Sequence, residues 1–132
     1  MSRLIFAVVL LAAYASAQDC PVRVEDAFRS SIQHAGFYLN VYFRNTADKE
    51  IAESSVAVAV LDSAGEPHVI NGAFDSGKIK AGTKKRREYA IGRETVDPST
   101  RVNFAVWPTR VKFADGSEWK DDGKRVCVWK KE

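Results

Sequence analysis

Four acidic side chains crowd into FADGSEWKDDGKRVC, residues 113–127: Asp115, Glu118, Asp121 and Asp122, with Gly116 and Gly123 among them. Carboxylates grouped around glycines are the raw material of a calcium loop or an acid–base pair, so this stretch has the chain's best claim to chemistry. The spacing does not support the claim. An EF-hand loop needs oxygen ligands at alternating positions, glycine at the sixth and glutamate at the twelfth, between two helices. Counting from Asp115 or from Asp121, that order is missing. The same residues predict a hairpin: a three-residue loop Ala114-Asp115-Gly116 puts Gly116 at the left-handed position such loops require. Its register sets Phe113 opposite Ser117, Lys112 opposite Glu118 and Val111 opposite Trp119, an opposite-charge pair and an aromatic–branched pair among them. Asp115 and Glu118 thereby acquire local roles without an ion. Asp121 and Asp122 retain the chemistry for an irregular calcium site built from separate loops. With Asp115, they are the positions a hydrolase-like or calcium-dependent protein would use.

Other catalytic ingredients are sparse. His34 and His68 are the two imidazoles. Neither belongs to H-E-x-x-H, and there is no G-x-S-x-G or phosphate-cradling glycine loop. Both are expected in exposed loops, His34 ahead of a strand and His68 after Pro67. A carboxylate pair without a pocket to raise one pKa is not an acid–base pair. The expectation is a protein that is not an enzyme and holds no metal or cofactor.

Binding surfaces are better represented. KKRRE, residues 84–88, is a compact basic run. If extended, Lys84 and Arg86 lie on one face and Lys85 and Arg87 on the other. Such a run suits an acidic glycan, a phosphate-rich envelope surface or an acidic protein. It suits equally a solvated strand edge where charge blocks edge-to-edge pairing. Single-stranded nucleic acid would ask for interleaved aromatics, and only Tyr89 adjoins the run, so no nucleic-acid partner is expected. Tyr38 and Tyr42 form a second candidate surface, and Trp107 and Trp129 are candidates to leave the core beside them. Exposed together, they receive a sugar or a protein; otherwise each caps a sandwich edge or covers a disulfide.

The elements that must position these residues read as strands. In FYLNVYFRN (37–45), Phe37, Leu39, Val41 and Phe43 point one way, and Tyr38, Asn40, Tyr42 and Arg44 the other. SVAVAVLD (55–62) places Val56, Val58 and Val60 opposite small alanines, and Val102, Phe104 and Val106 repeat the theme. Shorter candidates are Val22 to Phe28, His68 to Phe74, Arg87 to Ile91 and Arg125 to Trp129. Turn clusters at Asn45–Asp48, Ser63–Pro67, Ala81–Thr83 and Asp97–Ser99 separate them. Pro108 requires its strand to end, bulge or lie at an edge. About seven short strands without a helical repeat predict an all-β, immunoglobulin-like or fibronectin-III-like two-sheet sandwich.

The ends of the chain bear on compartment. Arg3, the apolar run Leu4–Tyr14 and Ala15-Ser16-Ala17 form a signal peptide, residues 1–17, too short to span a bilayer. Cleavage leaves one domain, 18–132, secreted or periplasmic, without an integral membrane segment. Gln18 and Asp19 before Cys20 do not fit a lipoprotein anchor. The net charge of +3 makes no case for a polyanionic partner by itself. Cys20 and Cys127, near the two mature ends, are expected to form one disulfide. In the chain-entropy account such a closure stabilises by about 4 to 5 kcal/mol.

The middle of the chain carries a resemblance. Asn45-Thr46-Ala47-Asp48-Lys49 forms a strand-ending turn, a valine-rich strand reaches Asp62 and Gly65, and Ile79 to Gly82 precedes another strand. Over roughly residues 36–92 this resembles small secreted bacterial domains of the FxLYD type and related immunoglobulin-like sandwiches. At the position of the family's signature the chain reads Val58-Ala59-Val60-Leu61-Asp62. The resemblance implies a sandwich and an extracytoplasmic setting; such families mostly lack an established activity, so it assigns no functional residue. A non-enzymatic interaction or accessory module, contacting an unknown protein or an acidic glycan at the cell envelope, is the functional expectation.

Overall fold

The computed structural model describes residues 20–30 and 36–131. The predicted signal peptide and His34 lie outside the described residues. Among the described residues eight strands follow one another: β1 (Val22–Arg29), β2 (Gly36–Asn45), β3 (Ile51–Leu61), β4 (Pro67–Asp75), β5 (Lys84–Gly92), β6 (Asn103–Phe113), β7 (Glu118–Lys120) and β8 (Trp129–Lys130). They make a three-stranded sheet, β1-β2-β5, and a five-stranded one, β4-β3-β6-β7 with β8 also on β6; every pairing is antiparallel. Three antiparallel strands in one sheet and five in the other, with β4 in the larger one, make the all-β two-sheet sandwich expected from the sequence. No helix among the described residues is long and apolar enough to cross a membrane.

Alternation builds the core. Phe37, Leu39, Val41 and Phe43 of β2 face Val56 and Val58 of β3 and Phe104, Val106, Val111 and Phe113 of β6, all buried. Tyr89 of β5 stacks on Phe74 of β4 with ring centroids 4.2 Å apart and donates its hydroxyl to the Asp75 carbonyl, 2.9 Å away. Burial of that phenol pushes its pKa well above the ordinary value. This stack closes the edge between the two sheets that β4 and β5 share. Asn45, wholly buried, donates to the Lys49 and Ile79 carbonyls at 2.9 Å each and accepts from the Ala47 amide. The strand-ending turn and the Ile79–Gly82 segment are thus fastened by one side chain, and their role is structural.

Several boundaries differ from the sequence reading. The strand expected from Ser55 begins at Ile51, and the one expected from Arg87 begins at Lys84, so the basic run is itself strand. β6 continues through Pro108 because Thr109 bulges: Val56 pairs Pro108 while Ser55 pairs Arg110. On its other side β6 meets β8 at 105–106 and β7 at 110–112, so Pro108 falls in the gap between them and disrupts neither ladder. Residues 125–128, expected to be strand, form a turn instead, closed by the Val128 amide on the Arg125 carbonyl at 3.1 Å, and only Trp129–Lys130 pairs. Asn40 lies on the outward side of β2 yet is buried, with its amide 3.5 Å from the Phe28 carbonyl.

The predicted 113–119 hairpin is present in its predicted register. Lys112 stands opposite Glu118 and Val111 opposite Trp119, with Gly116 at φ 90°. The ion pair, however, forms on the diagonal: Arg110 Nη2 donates to Glu118 Oε1 at 2.5 Å. That guanidinium holds the Glu118 carboxyl below its ordinary pKa.

Cys20 and Cys127 are joined, their Cα atoms 5.6 Å apart. The bridge links the residue ahead of β1 in one sheet to the segment between β7 and β8 in the other.

Candidate functional site

Register decides which side chains share a surface. On β2, Tyr38 stands beside Ala90 of β5, Asn40 beside Glu88, Tyr42 beside Arg86 and Arg44 beside Lys84. On the other flank, Phe28 of β1 stands beside Asn40 and Asp26 beside Tyr42. The two candidate surfaces of the sequence, Tyr38 with Tyr42 and Lys84 with Arg86, therefore meet on the outer face of the three-stranded sheet. Phe28 and Tyr42 stack with centroids 6.1 Å apart, and the Lys84 ammonium lies 5.0 Å from the Tyr42 centroid. Phe28 is 39% exposed and Tyr38 42%.

The basic run does not act as a unit. Glu25 bridges Arg44 at 3.0 Å and Lys84 at 3.5 Å, and hydrogen bonding to Arg44 above all holds its carboxyl below the ordinary value. Arg86 pairs Glu88 at 3.3 Å. Arg87 turns to the far side and donates through Nε to the Ser76 carbonyl at 2.6 Å. Its guanidinium lies against Gly77 (φ 69°), where an added Cβ would sit 2.3 Å from Arg87 Nη2. Lys85 stands opposite Phe43 and is exposed. Lys84 and Arg86 belong to the outer face; Arg87 is a structural tie.

The acidic stretch is committed to its own loops. Asp115 accepts from the Ser117 hydroxyl at 2.5 Å, the Ser117 amide at 2.9 Å and the Lys49 ammonium at 3.1 Å. Those partners, the Ser117 hydroxyl first, bring its carboxyl down to about 2. Asp121 accepts from the Arg125 amide at 3.1 Å and the Gly123 amide at 3.3 Å, and Asp122 from the Lys124 amide at 3.0 Å. Among the described residues, no group of three or more His, Cys, Asp or Glu side chains converges on a point. His68 is exposed on β4 and its ring Nε2 lies 2.9 Å from Asp62 Oδ2.

The tryptophans part company. Trp107, a candidate to leave the core, is 4% exposed and forms a second apolar cluster with Ala57, Ala59 and Ala105 on the outer side of the five-stranded sheet. Residues 121–128 cover it: Val128 packs on the cluster and the Arg125 guanidinium lies 5.1 Å from the Trp107 ring centroid. Arg125 takes φ 55°, a left-handed conformation supported by the hydrogen bond its backbone N–H donates to the Asp121 carboxylate. Trp129 is half-buried and lines a cleft of about 380 Å³ together with Phe28, Arg29, Arg101, Asn103 and Lys131. A second cleft, about 550 Å³, lies at the opposite end beside Cys20, lined by Thr46, Lys49, Phe113, Ser117, Glu118 and Trp119.

Sequence reasoning missed the first cleft. Its cations come from three separated places, 29, 101 and 131, none of them a basic run. Phe28 was hidden by a bulge: strict alternation from Val22 and Val24 would turn it inward. The shift between Val24 and Asp26 sends Ala27 into the core and Phe28 out.

No family model matches the chain, and no curated protein sequence matches it. Among solved structures it is similar to a chain described as the X-ray structure of Northeast Structural Genomics Consortium target SoR45. The TM-score is 0.46 at 13% identity, over 79% of this chain and 89% of that one. That likeness carries no functional information.

Proposed function

We propose that the protein is a non-enzymatic binding module of the extracytoplasmic space, secreted or periplasmic, that contacts an acidic glycan through the outer face of its three-stranded sheet. One observation carries the reading: Phe28, Tyr38 and Tyr42 lie on one uncovered face in the company of Lys84 and Arg86. Aromatic rings offer flat apolar area to the C–H faces of sugars, and neighbouring cations attract an acidic group on the same ligand. The disulfide supports an oxidising compartment, as does the leader-like start of the sequence. The non-enzymatic part is supported by the carboxylates of residues 113–127: Asp115, Asp121 and Asp122 accept hydrogen bonds within their own loops, and Glu118 accepts one from Arg110.

A glycan array tests this. Acidic glycans are expected to be retained in low salt and released as salt rises, because the attracting charges are solvent-exposed. Tyr38→Ala combined with Tyr42→Ala is expected to abolish retention, and Lys84→Gln combined with Arg86→Gln to weaken it and flatten its salt dependence. An array on which no acidic glycan is retained removes the proposal.

A further inference from the structure

We infer that the cleft beside β1 is a seat for one anionic sugar ring, a uronic acid or a sulfated hexose; this rests on the reading above and gives the ligand's charged end a place. The cleft, about 380 Å³, is lined by Arg29, Arg101 and Lys131 and, among the described residues, by no aspartate or glutamate. That volume is at the small end of the roughly 300–1,000 Å³ typical of ligand sites, suited to a ring rather than a long chain segment.

Several cations elsewhere find carboxylates: Arg44 and Lys84 share Glu25, Arg86 has Glu88, Arg110 has Glu118, Lys49 has Asp115 and Lys124 has Asp122. Others, Lys80 and Lys85 among them, take part in none of the ion pairs among the described residues; here three cations outside those pairs line one cleft. Arg101 and Lys131 take part in none of the ion pairs among the described residues. Arg29 is fixed without an acid. Its Nη1 reaches the Thr100 carbonyl at 3.3 Å and the Pro98 carbonyl at 3.5 Å, and its guanidinium carbon lies 5.0 Å from the Phe37 centroid. Its other nitrogens remain available to a ligand. Lys131 is anchored next to the cleft through its backbone amide, 3.4 Å from the Phe104 carbonyl.

Three cations with no counter-charge among the described residues suit an anion, and the guanidinium fork matches a carboxylate or sulfate in two-point contact. The remaining walls refine the ligand. Phe28 and Trp129 supply aromatic surface for a ring, and Asn103 supplies both a donor and an acceptor for hydroxyls. A bare inorganic anion would use neither ring. A neutral sugar would leave the cations unmatched. Phe28 also stacks on Tyr42, so the cleft is continuous with the aromatic outer face.

The test is a nuclear magnetic resonance titration of the disulfide-intact protein, following the Trp129 indole N–H. Glucuronate and glucose 6-sulfate are the probes, with glucose, inorganic sulfate and a short oligothymidylate as controls. The expected result is a saturable Trp129 shift with glucuronate or glucose 6-sulfate and none with glucose. Arg101→Gln and Lys131→Gln, both at exposed positions and so compatible with folding, are each expected to weaken binding about tenfold. Lys80→Gln, at an exposed position outside the cleft, should leave it within about twofold. The inference is overturned by equal shifts with glucose, by inorganic sulfate saturating as tightly as the sugars, by tighter binding of the oligothymidylate, or by indifference to both cleft substitutions. Failures separate cleanly. A positive array with no Trp129 shift removes the cleft alone; a Trp129 shift with a silent array keeps the cleft and removes the open-face reading.

Discussion

The two sheets each turn an outer face away from the shared core, and the faces have opposite fates. On the five-stranded sheet, Ala57, Ala59, Ala105 and Trp107 are between 0% and 4% exposed, because residues 121–128 fold over them. On the three-stranded sheet, Phe28 and Tyr38 are 39% and 42% exposed and nothing in the described chain lies on them. Both faces contain aromatic rings. What differs is the neighbourhood: alanines flank Trp107 and leave room for a covering segment, whereas Tyr42 is flanked by Asp26 and Arg86, whose charged groups are costly to bury. An aromatic residue in a strand is therefore not a surface by itself; the residues beside it decide whether the chain's own tail or a partner can take the place over it.

The comparison can be broken at the covered face, where the effects are largest. Replacing both cysteines by serine releases the cover and is expected to cost about 4.7 kcal/mol, the chain-entropy figure for a loop of this size, read from urea unfolding. Trp107→Ala should cost about 3 to 5 kcal/mol, since it empties a buried site under the same segment. Arg125→Ala should cost about 1 kcal/mol, the scale of one cation–π contact, because alanine keeps its Cβ and so the same left-handed strain. On the open face, Tyr38→Ser should stay within about 0.5 kcal/mol of the parent. A large loss there would mean that the face is core in disguise. The smallest effect belongs to acid. Asp115 has a folded pKa of about 2 against an ordinary value of 3.8, so its contribution is complete above that ordinary value and fades as pH falls through 2. Asp115→Asn should remove this part of the acid sensitivity, monitored at the Ser117 amide resonance.

Most of the scaffold was legible because it depends on local pattern. Alternation placed Phe37 through Phe43 inward, and the turn Ala114-Asp115-Gly116 fixed the hairpin register to the residue. The pairing of Cys20 with Cys127 followed from there being two cysteines. The places where reading failed share a cause, which is that a neighbour distant in sequence overrode the local pattern. The bulge at Glu25 reversed Phe28, and Thr109 absorbed Pro108 so that β6 ran on. Arg125 to Cys127, patterned like strand, were drawn over Trp107 instead. Among candidate site residues, Tyr38, Tyr42, Lys84 and Arg86 came together as their alternation required. Arg87 was claimed by the Ser76 carbonyl, an interaction no spacing rule announces. Arg29, Arg101 and Lys131 needed the fold to become a group at all.

The most direct measurement is a map of backbone amide shifts on adding a uronate-containing oligosaccharide to the intact protein. The account predicts changes confined to β1, β2 and β5, centred on Phe28, Tyr38, Tyr42 and Lys84, and spreading to Arg101 and Trp129. Changes centred on Trp107 and residues 121–128, or none anywhere at saturating ligand, would contradict it.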